Sequence, residues 1–404
     1  MFGIKKQKIN IDEKKIEEII SRGVEEVIER KNLEEKLKSG KQLRIKLGID
    51  PTSPNIHLGR SIPLLKLRDF QEMGHKIVLI IGDYTAVIGD TSDKDSERPM
   101  LTQAQVKENL KNYVNQASKV IDIDNSEIHY NSEWLSKLNY NEISEQANIF
   151  SLSDFISREN IKKRLDGGKR VSLRELIYPL MQGYDSVAVK SDIEIGGTDQ
   201  KFNLLAGREM QRHYKQEPQD ILTNPLIEGL DGRKMSSSWG NTINLLDSST
   251  DMYGKIMSLH DNLIIRYFTL VTRVPMQTIE EHKKSLENGE NPKNIKIKLA
   301  HELIKMYFSD EEANKAQENF DKAFSKGEIP DDVIEIQIPH GSHIKDALIK
   351  EGIVSSNTDW RRLVENGAVT YAGTEEKIND HNIKAENDIT LRIGKKRFAK
   401  ISVK

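Results

Sequence analysis

The feature that most constrains this chain is a change of hydrophobic period between residues 44 and 81. Over 44–49, Ile45, Leu47 and Ile49 alternate with Arg44, Lys46 and Gly48, the period of two that gives a strand one buried face. Asp50, Pro51, Thr52, Ser53, Pro54 and Asn55 follow, and their turn chemistry ends the strand. From His57 the spacing becomes helical: Ile62, Leu65 and Phe70 fall near one stripe, with charged residues between them. Gly74 closes that helix. Residues 76–81, KIVLII, are almost unbroken apolar, as suits a strand of a parallel sheet covered on both faces. Strand, helix and strand make a βαβ unit whose polar turn lies at the carboxyl end of the first strand. The helix amino terminus there offers unpaired N–H groups and a positive dipole end to an anion. Alternation sets Lys46, Gly48 and Asp50 on the side opposite Ile45, Leu47 and Ile49, so Lys46 is expected to face the same crevice.

The same logic recurs downstream. Glycines and carboxylates at 82–92 follow the second strand directly, which puts polar groups where open α/β sheets bind ligands. The polar run 93–99 reads by default as a solvated loop. A helix over 102–121 starts at Thr102 as N-cap, a short strand covers 127–130, and Ser151 or Ser153 caps a helix that ends at Gly167-Gly168. Over 172–189, Tyr178, Gln182 and Asp185 stand at i, i+4 and i+7, so a phenol, an amide and a carboxylate share one helix face. Pro179 suggests a kink beside that stripe. A strand at 192–195 leads through Gly196, Gly197, Thr198 and Asp199 into a helix over 200–213 that starts at Gln200, and a hairpin turning at Asp231-Gly232 precedes Lys234-Met235-Ser236-Ser237-Ser238. Residues 11–37 read as one helix with an apolar stripe of Ile16, Ile19, Ile20, Val24, Val27 and Ile28.

These patterns predict a parallel-sheet α/β domain over 1–240, a helical domain over 241–330, and, over 331–404, a linker and a small α+β module; the linker composition itself spans 327–337, across that boundary. That module has helices at 344–350 and 359–366 and strands at 368–371 and 388–393. Residues 341–404 hold 12 Lys and Arg against 9 Asp and Glu, a net +3 on a chain of net charge −2. A basic tail on an acidic body hints at a phosphate-binding appendage. No apolar run reaches the roughly 18 residues of a membrane span, and the first fifteen residues hold no apolar segment of signal-peptide type. With no cysteine in 404 residues, disulfides, thiolate metal sites and a cysteine nucleophile are excluded. A cytoplasmic protein is expected.

His57-Leu58-Gly59-Arg60 resembles the HIGH tetrapeptide of class I aminoacyl-tRNA synthetases, and G-x-D-P-T at 48–52 resembles the tyrosine-specific members. Five stretches in one order, 48–60, 85–98, 178–185, 196–200 and 234–238, resemble tyrosyl-tRNA synthetases, the last being similar to their KMSKS loop. The Lys in the strand before G-x-D-P-T resembles one bacterial subgroup; another carries Tyr at that position. The final module resembles a small RNA-binding fold shared with a ribosomal protein and pseudouridine synthases.

The resemblance implies a Rossmann-like catalytic domain in which the tyrosine carboxylate attacks the α-phosphate of ATP before a tRNA ribose hydroxyl takes the tyrosyl group. The nucleophile is already an anion, so no protein base is required; the residues must align reactants and stabilise charge on the departing pyrophosphate. It implies that His57, Arg60, Thr52, Lys234, Lys94 and Arg98 serve that second role, the last two from a lid over the polyphosphate. Asp50, Gly59, Asp199, Lys234, Met235, Ser236, Ser237 and Ser238 are expected at ATP. Lys46, Gly48, Asp50, Thr85, Asp90, Tyr178, Gln182, Asp185 and Gln200 are expected at tyrosine, with Asp185 accepting from the substrate phenol. Magnesium is expected with the pyrophosphate and no protein-bound metal; tRNA and a second copy of the chain are the implied partners. Two positions depart from the pattern: Arg60 replaces the second histidine of HIGH, and Ser237 the second lysine of KMSKS. The serine resembles the version of the loop familiar in archaeal and eukaryotic relatives; Arg60 leaves open a paralogue acting on a tyrosine analogue or, together with the basic tail, a non-catalytic RNA-binding descendant.

Overall fold

The computed structural model describes residues 9–90, 100–322, 333–372, 374, 376–394 and 397–404. Contacts divide the chain into two units, Met1–Asp247 with Leu259–Glu290, and Ser248–Ser258 with Asn291–Lys404. The helices Ile264–Val271 and Met276–Glu287 thus belong with the first unit. Ile264, Tyr267, Phe268 and Val271 are fully buried there, and Arg273 grips Asp69 through two hydrogen bonds of 2.7 and 2.9 Å.

The first unit is built on six strands: β1 (Glu26–Ile28), β2 (Arg44–Ile49), β3 (Lys76–Ile81), β4 (Glu127–Tyr130), β5 (Ile193–Gly197) and β6 (Asp220–Asn224), in the order β1-β6-β5-β2-β3-β4. All neighbours are parallel except β1, which pairs antiparallel with β6 along one edge. From β2 the chain winds outward through β3 to β4, and from β5 it winds the other way to β6. The sheet therefore reverses direction between β2 and β5, the place where open α/β sheets hold ligands at their carboxyl ends. β2 pairs with β3 at six positions but with β5 at only two, Ile45 with Ile193 and Lys46 with Glu194. Beyond those the ladder stops and a crevice opens.

Several expectations change here. The single helix expected over 11–37 is two, Glu13–Ser21 and Arg30–Lys38, separated by β1. Gly23 at φ 60°, in the left-handed region that glycine enters without strain, turns the chain into β1. The 102–121 helix breaks into Gln103–Leu110 and Tyr113–Ala117, with Thr102 and Gln105 forming a capping box. The helix expected to run to Gly167 is likewise two, Leu152–Ile156 capped by Ser151 and Glu159–Asp166. β2 is not half exposed: Lys46 is 0% accessible, because the helix Leu173–Val189 covers its face.

In the second unit the helices Ser249–Met257, Pro292–Tyr307 and Asp310–Asp321 pack on one another. Four more strands, β7 (Ile334–Ile338), β8 (Val369–Tyr371), β9 (Ile389–Ile393) and β10 (Arg397–Val403), form a sheet in the order β7-β10-β9-β8. β7 occupies residues expected as linker. It pairs parallel with β10 and buries Ile336 and Ile338 beside Ile344, Leu348, Trp360 and Leu391.

Candidate active site

The crevice at the carboxyl ends of β2 and β5 is a cleft of about 670 Å³, floored by Leu47, Gly48, Ile49, Ile195 and Gly196. Its walls come from the amino end of the helix Leu58–Glu72, one face of Leu173–Val189, and the loop holding Lys234–Ser238.

Carboxylates and their partners gather at one part of the lining. Asp50, just past β2, accepts from the Tyr178 hydroxyl at 2.9 Å and from the Thr85 hydroxyl at 2.7 Å. A side chain at Gly82 would put its Cβ on both the Asp50 and Thr85 oxygens, so this turn admits only glycine. Asp185 accepts from Trp134 Nε1 at 2.7 Å and from Asn131 Nδ2 at 3.3 Å. Asn131 also donates to Thr85 at 2.9 Å, which links the two carboxylates through one amide and one hydroxyl. Burial pushes the Asp185 carboxyl up to about 7, against the opposing pull of the nearby Lys46 cation and of the Trp134 and Asn131 hydrogen bonds. Burial first, and then Asp50, raises the Tyr178 phenol well above its usual range, so it stays protonated and donates. Gln200 donates to Asp90 at 2.6 Å.

At the helix amino terminus positive charge comes from Arg60, with Lys234 brought up from its loop. His57 is the N-cap residue; its backbone lies against 243–245, through Leu58 N–H to Ile243 O and Leu245 N–H to Ile56 O. Its imidazole is lowered to about 3 by burial, then by Arg60 and Lys234, and is neutral at physiological pH. Buried Nδ1 has no hydrogen-bond partner among the described residues. Arg60 donates to the Thr52 hydroxyl at 2.8 Å and to the Tyr113 hydroxyl. Lys234 pairs with Asp199 at 3.0 Å, and the Gly59 amide meets Met235 Sδ at 3.3 Å. Ser53 and Ser237 share a hydrogen bond of 3.2 Å. The two signature segments, 177 positions apart, thus touch.

Of the residues singled out in the sequence, His57, Arg60, Thr52, Asp50, Gly59, Asp199, Lys234, Met235, Ser236, Ser237, Ser238, Gly48, Thr85, Asp90, Tyr178, Gln182, Asp185 and Gln200 all line this cleft. Lys46 stands behind its wall, in an ion pair with Glu194 at 2.8 Å and bonded to Gln182 O and Ser186 Oγ. Lys94 and Arg98 lie outside the described residues. Sequence reasoning missed Asn131, Trp134, Tyr113 and Glu194. Asn131 had a usable signal, its place at the carboxyl end of a parallel strand.

The model of the class I tRNA synthetases (W and Y) matches residues 38–325. That match, with the reversal in the sheet and the contact between the two signature segments, defines the catalytic domain of a class I aminoacyl-tRNA synthetase. The tyrosine–tRNA ligase of Thermotoga maritima is 43% identical over 388 residues, covering 95% of this chain and 96% of the relative. That of Carboxydothermus hydrogenoformans is 45% identical over 400 residues, covering 95% and 97%. The tyrosyl-tRNA synthetase of Archaeoglobus fulgidus, solved with L-tyrosine, shares the fold with a TM-score of 0.61 at 24% identity, over 76% of this chain and 99% of that one. The chain belongs to the tyrosyl-tRNA synthetases.

Proposed function

We propose that the protein activates L-tyrosine with ATP and transfers the tyrosyl group to tRNA. The observation that carries this reading is that Asp185 and His57, at the two ends of the expected machinery, open onto one cleft. In the first step a tyrosine carboxylate oxygen bonds to the α-phosphorus and the bond to the bridging oxygen breaks, releasing pyrophosphate. In the second, a tRNA ribose hydroxyl attacks the tyrosyl carbonyl and AMP leaves. Asp185 accepts from the substrate phenol, while Asp90, Tyr178 and Gln182 receive the ammonium group and Thr85 and Gln200 line its surroundings. Gly48 leaves open space above β2 for the ring, since among the described residues nothing stands within 4 Å of where its Cβ would be. Neutral His57 serves as an N–H donor, not a cation, and Lys234 with Arg60 supplies the charge that offsets the leaving pyrophosphate. Lys46 acts from behind, holding the helix that carries Gln182 and Asp185. Magnesium would accompany the nucleotide phosphates as their counter-ion; the cleft carboxylates are already bonded to Tyr178 and Thr85, to Gln200 and to Lys234.

For tRNA, the final module offers exposed Lys350, Arg361, Arg362, Lys377, Lys384 and Lys400 to phosphates. A homodimer is supported by exposed Tyr140, Leu152, Ile156, Leu165, Leu173 and Ile177, all within 38 positions of chain; sedimentation as a monomer refutes it. A cytoplasmic site of action fits this reading and is supported by the bacterial relatives.

The deciding experiment is ATP–pyrophosphate exchange with tyrosine, phenylalanine and ring-substituted tyrosines, followed by tRNA charging. Exchange with tyrosine is expected, with a preference over phenylalanine of about 10⁵, a value that comes from tyrosyl-tRNA synthetases themselves and not from this cleft. Preference for an analogue would mark a specialised paralogue. No exchange with any of them would leave a non-catalytic RNA-binding protein.

A further inference from the structure

Arg60 and Ser237, the two departures from the family pattern, come together on one turn. Arg60 reaches back from the first turn of its helix to Thr52, while Ser237 bonds to Ser53, the next residue. The turn itself is strapped down: Asn109 donates to Pro51 O, and Gln116 both donates to Pro54 O and accepts from Ile56 N–H, each at 2.8 Å. Tyr113, on the same strap and fully buried, fixes the far side of the guanidinium. Position 237 is where the pattern places a lysine; here it brings only a hydroxyl to the turn.

We propose that Arg60 restores to the 52–53 turn the cation that Ser237 removes, and that its guanidinium, held by Tyr113, contacts a phosphate of the bound nucleotide directly. This rests on the reading that the cleft binds ATP. Three physical points support it. The guanidinium carries five N–H donors, more than Thr52, Tyr113 and the Asp50 carbonyl use. Arg60 lines the cleft half-buried, and both it and Lys234 lie near enough to His57 to depress its ionisation, so positive charge converges on that corner. An arginine held on a helix by a buried phenol is also ordered before the phosphate arrives, whereas a lysine on a loop must be ordered by it. Arg60 is thereby assigned a substrate contact, and Tyr113 is a positioning residue.

The test is a double-mutant cycle in the full-length protein, read by pyrophosphate exchange as separate KM values for ATP and tyrosine, with thermal melts to verify folding. Arg60→His should lower kcat/KM for ATP by about tenfold to a hundredfold, the range for a charge-assisted contact, and leave KM for tyrosine in place. Adding Ser237→Lys should recover at least tenfold more in the Arg60→His background than it gains in the wild type. Equal effects of Ser237→Lys in the two backgrounds would overturn the proposal. Should Arg60→His fail to fold, Tyr113→Phe decides: it should lower kcat/KM for ATP selectively, and an unchanged value would overturn the assignment. If the wild type shows no exchange with tyrosine, the function proposed above fails instead, so the two failures are distinguishable.

Discussion

On the proposed role of Asp185, as acceptor for the substrate phenol, tyrosine binding becomes a titration. The Asp185 carboxyl is pushed by burial to about 7, and it faces the Lys46 cation, the Glu194 carboxylate and the donors of Trp134 and Asn131. Only the ionised form is a pure acceptor for the substrate phenol. Acidification fills that acceptor with a proton, so affinity should fall as pH falls. With one titrating group, the apparent dissociation constant scales as 1 + 10^(7 − pH), about 11 at pH 6 and about 1.1 at pH 8, a tenfold loss or about 1.4 kcal/mol. Neither the phenol of the ligand, which titrates near 10, nor His57, lowered to about 3, changes state in that window. Calorimetric titration of tyrosine at pH 6, 7 and 8 measures it. Repeating the pH 7 titration in buffers of different ionisation enthalpy should show release of about half a proton per site. Affinity that is level from pH 6 to 8, or that tightens on acidification, would refute this account of the carboxylate. Asp185→Asn should bind weakly with no pH dependence.

The remaining expectations follow from neighbouring residues. Lys46→Met strands Glu194 as an unpaired buried charge and should cost about 3–5 kcal/mol in urea unfolding; adding Glu194→Gln should recover much of it. Where Lys46→Met still folds, the midpoint of tyrosine binding should move to higher pH, because a cation favouring ionised Asp185 is gone. Gly82→Ala should weaken tyrosine binding by forcing apart the Asp50–Thr85 hydrogen bond; calorimetry showing wild-type affinity would contradict it. If His57 makes the proposed contact, one that strengthens at the transition state, His57→Ala should reduce the single-turnover adenylation rate far more than tyrosine affinity; equal losses in both would argue for ground-state binding.

What could be read from the chain depended on whether the signal was local. β2, β3 and β4 lie on the residues their patterns indicate, since apolar spacing and turn chemistry are properties of adjacent positions. β6 escaped because Asp220-Ile221-Leu222-Thr223-Asn224 looks too polar for a buried strand. Its polar groups are answered from far away, Asp220 by Asn32 and Lys36 and Asn224 by Gly23 O. The face shared by Tyr178, Gln182 and Asp185 could be seen from helical spacing alone. Its supports, Trp134 and Asn131 on Asp185 and Tyr113 on Arg60, could not, because nothing in the local pattern links positions about 50 apart. Lys46 shows the opposite error. Alternation gave its side of the strand correctly, but a long side chain reached Glu194 across the neighbouring strand.

The early halt of the ladder between β2 and β5 has a consequence for how such a protein comes to hold a small molecule. Close-packed interiors resist voids, yet two strands that part company after two rungs leave room without any atom being scooped from the core. The room for a small molecule is then set by where a backbone seam stops zipping, and a lysine–glutamate ion pair joins the two strands at the last rung before the fork.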